Sequence, residues 1–282
     1  MLGKPNGVTY AALVVSIIWA LSAGPARAED ALAAIKQKGV VTVGTEAAFP
    51  PFEFVQNGKI VGYGKDILDS IVKDLGVKLN QFDVPFDGLF PGLLSGKWDF
   101  IATTLLEWEK PATKFAMTYP IAEGSTAVLT RKDDNRIKSA QDFNGHVIAT
   151  QVGTGSAIRL EAMNAQLKKD GKPGFDLKLF NSSPEFVVAL ANKQVDAAVG
   201  LLPQIHVVAM KQPDVFKLAG LLENKREYLG WATRPDDKPL RDYLSARIKA
   251  LRDSGKLYAW QEKWFGFRME LPDSGYLPPG AL

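Results

Sequence analysis

Apolar residues recur along this chain in two alternating rhythms. Val40-Val41-Thr42-Val43-Gly44 is an unbroken β-branched run, which predicts a buried strand. From Gly64 to Leu75 the apolar positions are Ile67, Leu68, Ile71, Val72 and Leu75, which is helical spacing, with Gly76 placed to end the helix. Leu79 to Val84 reads as a strand, Gly88 to Leu94 as a short apolar helix closed by Ser95-Gly96, and Phe100-Ile101-Ala102 as a strand. This β-α-β-α-β order favours a parallel sheet with helices on its faces.

The rhythm returns further on. Strands are predicted at Thr126 to Thr130, Val147 to Thr150, Phe175 to Phe180 and Val195 to Val199. A helix follows Gly153-Thr154-Gly155-Ser156 and runs through Leu167. Another begins at Ser183, read as an N-cap before a first-turn proline, Pro184, and reinforced by Glu185. Two helices close the chain, Leu240 to Leu251 and Leu257 to Trp264. No Pro- or Ser-rich linker divides the halves, so the pattern predicts two closely packed α/β lobes rather than separate beads.

The first segment departs from both rhythms. Lys4 precedes the apolar run Ala11 to Leu21, and Gly24-Pro25 leads into Ala26-Arg27-Ala28. This is the layout of a secretory signal with an A-x-A site, so cleavage is expected after Ala28. The run is well short of the roughly 20 residues that span a bilayer. With no cysteine there is no disulfide framework, thiolate metal site, cysteine nucleophile or lipidated cysteine anchor. These features fit an exported protein of the periplasm, where ATP- or NADH-dependent chemistry is not expected; no cofactor is expected either. Lys and Arg total 34 against 31 Asp and Glu, and residues 29–282 carry 32 basic groups against 31 acidic ones. A nearly neutral chain without a Lys/Arg cluster gives no electrostatic case for nucleic acid.

Few residues suggest catalysis. His146 and His206 lie far apart, without a metal-binding spacing, and read as ordinary structural or surface histidines; no metal site is expected. There is no G-x-S-x-G elbow. The Gly153-Thr154-Gly155-Ser156 loop lacks the lysine of a P-loop, and it fits either a tight turn or a helix N-terminus facing a ligand. Ligands of open α/β sheets bind beyond the carboxyl ends of the strands. Glu46 and Phe49 follow the first strand and Phe86 follows the second, so these stand where a ligand would, although Glu46 equally fits a solvated loop.

Several segments together carry a resemblance. They are Val41 to Phe54 (VTVGTEAAFPPFEF), Gly62 to Ile67 (GYGKDI) and Phe86 to Asp99 (FDGLFPGLLSGKWD). Gln151 to Ser156 (QVGTGS), Val195 to Ala198 (VDAA) and Lys263 to Gly266 (KWFG) follow in order. This order resembles the bacterial solute-binding proteins of family 3, which serve ABC importers of polar amino acids. The resemblance implies a type II periplasmic binding protein fold. Lobe 1 would be about 38–121 plus 227–282 and lobe 2 about 126–222, with hinge strands crossing near Glu123 and Leu229. A small solute would sit between lobes that close on it, and the monomer would deliver it to membrane permease subunits.

The family's functional positions fall residue by residue on this chain. The stacking aromatics fall on Phe49 and Phe86, the polar residue after the first strand on Glu46, and the lobe 2 loop on Gln151, Gly153, Thr154 and Gly155. Thr103, Thr104, Trp108 and Lys110 lie in the turn after the third strand, although Trp108 also fits an ordinary core or surface residue. Two hallmarks are missing. The arginine that clamps a ligand carboxylate falls on Pro111, with Lys110 its nearest basic neighbour, and the aspartate that meets an α-ammonium falls on Leu201. Either the ligand lacks the zwitterion, or Lys110 and a carboxylate such as Glu107 replace the lost groups from shifted positions. Rings with a carboxylate suit a cationic or amphipathic ligand. Two other functions fit the same fold: a cyclohexadienyl dehydratase-like enzyme using Glu46, Glu107 or Lys110, and a diffusible sensor.

Overall fold

In a computed structural model of the chain, residues 1, 3, 31–106 and 114–281 are described. The cleavage motif and nearly all of the expected signal segment lie outside the described residues, as do Glu107, Trp108, Lys110 and Pro111. Among the described residues, no helix is long and apolar enough to cross a membrane.

Two sheets organise the molecule. The first contains β1 (Val40–Thr45), β5 (Lys78–Asp83), β6 (Phe100–Leu106), β7 (Ala116–Met117), β8 (Ala122–Glu123) and β14 (Tyr228–Thr233). β1 pairs in parallel with β5 and β6, as the alternating pattern predicts, while β14 returns antiparallel to β6. The second sheet runs in the order β11 (Asp176–Phe180), β10 (Val147–Gln151), β12 (Ala197–Leu201), β9 (Thr126–Arg131), β13 (Phe216–Leu221). A small hairpin sheet, β2 (Ala48–Phe49), β3 (Glu53–Gln56) and β4 (Lys59–Val61), covers the segment after β1 and has no counterpart in the sequence reading.

The helices are α1 (Ala31–Lys38), α2 (Tyr63–Leu75), α3 (Phe86–Leu94), α4 (Gly155–Lys169), α5 (Ser183–Ala191), α6 (Leu202–Lys211), α7 (Lys238–Asp253) and α8 (Lys256–Phe265). The apolar stripe of α2 is buried at Ile67, Leu68, Ile71 and Val72, and that of α7 at Leu244, Ile248 and Leu251. The C-terminal helix closes the first lobe around the N-terminal elements. Phe265 packs on Phe52 and Tyr63, with ring centroids 4.8 and 5.1 Å away, and Trp264 Nε1 donates to Asp66 on α2 at 2.7 Å.

The connection between the lobes is itself a piece of sheet. Glu123 lies opposite Tyr228 and Ala122 opposite Leu229, so both crossing segments pair antiparallel. Gly124 N–H donates to the Glu227 carbonyl at 2.8 Å, and Leu222 N–H to that of Thr126 at 2.8 Å. Below this, the buried Tyr63 hydroxyl and Gln261 amide both donate to the Ile121 carbonyl. From the other lobe, Arg159 on α4 makes a bidentate pair with the buried Glu227, two bonds of 2.5 Å. A charge-assisted fork of this kind is geometrically restrictive.

Three local readings change. The helix after Asn181 has Ser182, not Ser183, at its N-cap, and Ser183 is its first helical residue. The helix predicted at Gly88 begins two residues earlier, at Phe86. The strand predicted at Val195 to Val199 is displaced to Ala197–Leu201, because its register is set by pairing with β9 on one side and β10 on the other.

The position of α3 rests on one indole. Trp98 Nε1 donates to the Leu89 carbonyl at 3.0 Å, and the ring is held between two glycines. A Cβ at Gly92 would stand 2.0 Å from the ring, and one at Gly44, on the other side, 2.7 Å from it. The ring has nowhere to retreat. Gly92→Ala should therefore destabilise the protein by about 1–3 kcal/mol, the usual scale of overpacking. Helix propensity acting alone would favour alanine by ~1 kcal/mol. Thermal unfolding decides between them, since a raised melting temperature would show that the indole is not confined.

Candidate ligand cleft

The carboxyl ends of β1, β6, β10 and β12 face a mostly apolar cavity of about 210 Å³ lined from both lobes. Glu46, Phe49 and Phe86 reach it from the first lobe, where the sequence reading put them. Gln151, Gly153, Thr154, Gly155 and Leu201 reach it from the second. Thr104 also lines it, whereas Thr103 does not. Thr103 is completely buried, and its hydroxyl oxygen accepts the Glu46 N–H at 2.6 Å, so it orients Glu46 from behind.

The lobes touch across this cavity. Gln151 Nε2 donates to Glu46 Oε1 at 2.5 Å and to the Asn181 carbonyl at 3.1 Å. Ser183, expected to cap its own helix, donates instead to the Ala48 carbonyl of the opposite lobe at 3.3 Å. Gly153, with φ of 76°, stands against the Phe86 ring, where a Cβ would lie 3.7 Å from Cδ1. The left-handed backbone suits glycine there, whereas the ring would leave a Cβ in ordinary contact. Thr154 uses its hydroxyl within its own loop, donating to the Gln151 carbonyl at 2.8 Å and accepting from Ala157 N–H at the start of α4.

Two buried carboxyl groups sit under the cavity. Glu46 is 3% exposed. Burial pushes it from the usual 4.5 up to about 7, the Gln151 hydrogen bond opposes this, and Asp83 and Asp87 add to it. Glu53 is fully buried on β3 and accepts from the Thr104 hydroxyl at 2.8 Å. Burial lifts it from 4.5 to about 8, against the Thr104 hydrogen bonds and with a contribution from Glu46. Glu53 stands inside the AAFPPFEF segment, where one Glu in an aromatic run gives no sign of which way it faces.

The aromatic wall is larger than the sequence suggested. Phe90 meets Phe86 edge-on at 6.2 Å and Phe115 at 4.7 Å, and both line the cavity with Phe186. Phe90 could have been found, since it lies four residues beyond Phe86 on a helix. Phe49 differs from Phe86. It is 7% exposed and stacks flat on Phe52, with centroids 5.0 Å apart, so it belongs to the core as well as to the cavity. Lys114, exposed, is the one basic residue among the described lining residues. No group of three or more His, Cys, Asp or Glu that could hold a metal occurs among the described residues.

Two lobes, each built on its own sheet, joined by paired strands and enclosing a cavity, define the architecture of a two-lobed binding protein. The chain belongs to the bacterial extracellular solute-binding proteins, family 3, whose pattern it matches over residues 41–267. It is similar to the L-cystine-binding protein TcyJ of Escherichia coli (strain K12), at 26% identity over 90% of this chain and 93% of that one. A mutant of ArgBP from T. maritima superposes with a TM-score of 0.75 at 33% identity, covering 84% of this chain and 99% of that one. An ancestral amino-acid-binding protein, described as a precursor of cyclohexadienyl dehydratase, gives 0.71 at 26% identity, covering 83% and 99%.

Two expectations follow from the site. Both buried carboxyls favour the protonated form in the folded state, so their stabilising contribution is full below about pH 4.5 and is lost as pH rises through about 7 to 8. Glu53→Gln should flatten that decline. Urea unfolding at about pH 5 and about pH 8.5 would show it, and an equally steep decline in the variant would refute burial as the cause. For the rings, Phe86→Ala should weaken ligand binding more than tenfold with an unchanged melting temperature. Phe49→Ala should lower both, because it removes a stacking face and a core side chain together. Calorimetric titration and thermal unfolding of both variants separate the two roles.

Proposed function

We propose that this protein is a periplasmic receptor of an ABC importer that captures a small amphipathic or cationic solute by closing its lobes. It would act without turnover and deliver the solute as a monomer to membrane permease subunits. In this reading the chain is exported and cleaved after Ala28, lobe 1 comprises about 38–121 plus 227–282, and lobe 2 about 126–222. Glu46, Phe49, Phe86, Thr104, Gln151, Gly153, Thr154, Gly155 and Leu201 contact the ligand. Thr103 supports Glu46, and Trp108 and Lys110, which follow β6 in the sequence, are assigned to the ligand as well.

One observation carries the reading. The cavity is bounded by both lobes, yet among its described lining residues the only charged side chains are Glu46 and Lys114, both on the first lobe. A buried carboxyl such as Glu46 ionises readily when a cation is supplied beside it, and the adjoining ring faces favour the same charge. An α-amino acid that placed its ammonium at Glu46 would turn its carboxylate toward the second lobe, where no described lining residue carries a compensating charge.

A second reading is favoured by Glu46 itself. A carboxyl poised at about 7 in an apolar cavity also meets the requirement for an acid–base catalyst near neutral pH. The similarity to a dehydratase precursor points the same way.

The experiment starts from ligand-stripped protein. Titration with the twenty standard amino acids, simple amines and amino-acid amides is combined with small-angle scattering. The receptor reading expects a tight ligand, compaction at saturation and no conversion of prephenate or arogenate. Unchanged dimensions with every compound, or turnover of either acid, would overturn it. Micromolar binding of a standard amino acid would instead return the site to the zwitterion binders.

A further inference from the structure

We propose that Gln204 is the head-group selector of the second lobe and takes a neutral carboxamide of the ligand rather than a charged group; this rests on the receptor reading above. Gln204 sits in the first turn of α6, immediately past the carboxyl end of β12, and lines the cavity. It is 2% exposed, and its side-chain amide makes no hydrogen bond to any described residue. Its Oε1 lies over Gly200, where a Cβ would stand 3.1 Å away. A second side chain shares this condition. Ser156, on the first turn of α4, is 4% exposed, lines the same cavity, and its hydroxyl is likewise without a partner.

Neither polar group is sealed from the cavity, and each faces it without a hydrogen bond to another described residue, so a ligand group between them would find two free partners. The chemistry of that group follows from the partners. A carboxamide side chain presents a donor edge and an acceptor oxygen together. An ammonium can satisfy only the oxygen and a carboxylate only the donors, and either would leave half of Gln204 unmatched. A ligand carboxamide satisfies both at once, and the Ser156 hydroxyl can rotate to donate or accept. Every described residue that the second lobe contributes to the cavity is uncharged, so nothing there compensates a ligand charge. The cationic end is thus left to Glu46 on the first lobe, and the apolar body to Phe86.

Three compounds isolate the head group. L-phenylalaninamide carries an ammonium, a ring and a carboxamide; L-phenylalanine replaces the carboxamide with a carboxylate; phenethylamine lacks the head altogether. Calorimetry on ligand-stripped protein should show L-phenylalaninamide binding at least tenfold more tightly than either of the others. Gln204→Met, a near-isosteric change, should erase its advantage over phenethylamine while leaving phenethylamine within twofold. Gln204→Glu, which supplies a charge, should turn the preference toward phenethylamine, so the test survives should one variant fold poorly. The assignment is overturned if L-phenylalanine binds as tightly as its amide, if the amide does not bind, or if Gln204→Met leaves the amide within twofold. An amino acid that closes the lobes with an affinity insensitive to Gln204→Met removes this assignment and keeps the receptor reading. Absence of compaction with any compound removes the receptor reading.

Discussion

A carboxyl group at the end of the first strand finds its side-chain partner only on the other lobe, and the cleft is organised around that fact. Glu46 is 3% exposed, its backbone N–H is held by Thr103, and its carboxyl is met by the amide of Gln151. Separation of the lobes would break this bond and return the carboxyl to water, where its ordinary acidity would be restored, so that lobe closure and the ionisation of Glu46 would be coupled. In the proposed receptor, a cationic ligand would stabilise the ionised carboxyl in the closed state and so link what is bound to whether the lobes stay together.

The rest of the first lobe serves to place the groups around Glu46. The Trp98 indole, wedged between Gly44 on β1 and Gly92 on α3, fixes the helix that carries Phe86 and Phe90. Phe115 continues that wall, and the apolar cluster behind it takes in Leu277 and Ala281 from the C-terminal segment. Tyr276 meets Tyr119 edge-on at 5.3 Å, and the Tyr119 hydroxyl donates to the Pro272 carbonyl at 2.9 Å. The last residues of the chain thus brace the cavity wall from the side away from the ligand. The paired strands joining the lobes are held by Tyr63 and Gln261 on one side and by the Arg159–Glu227 pair on the other.

Sequence patterning reached the layer architecture and the strand ends because those depend on local periodicity and chain order. β1, α2, α7 and the loop at Gly153 are legible from spacing alone. Motif order also placed Glu46, Phe49, Phe86, Gln151 and Leu201 at one cavity, because residues just past the carboxyl ends of neighbouring strands must converge. Two readings failed because a side chain had its partner distant in sequence. Ser183 left its own helix N-terminus for the Ala48 carbonyl, 135 positions away, and Thr103 turned inward to Glu46, 57 positions away.

What the sequence determined by itself is the order of strands and helices and the two-lobe plan. Each is written in short-range pattern and chain order. Only the tertiary structure decided that Glu46 and Glu53 are buried together, that Phe90 and Phe115 extend the ring wall, and that Gln204 faces the cavity. Burial, hydrogen-bond satisfaction and the acidity of a carboxyl are properties of surroundings assembled from distant segments, and no single stretch of chain specifies them.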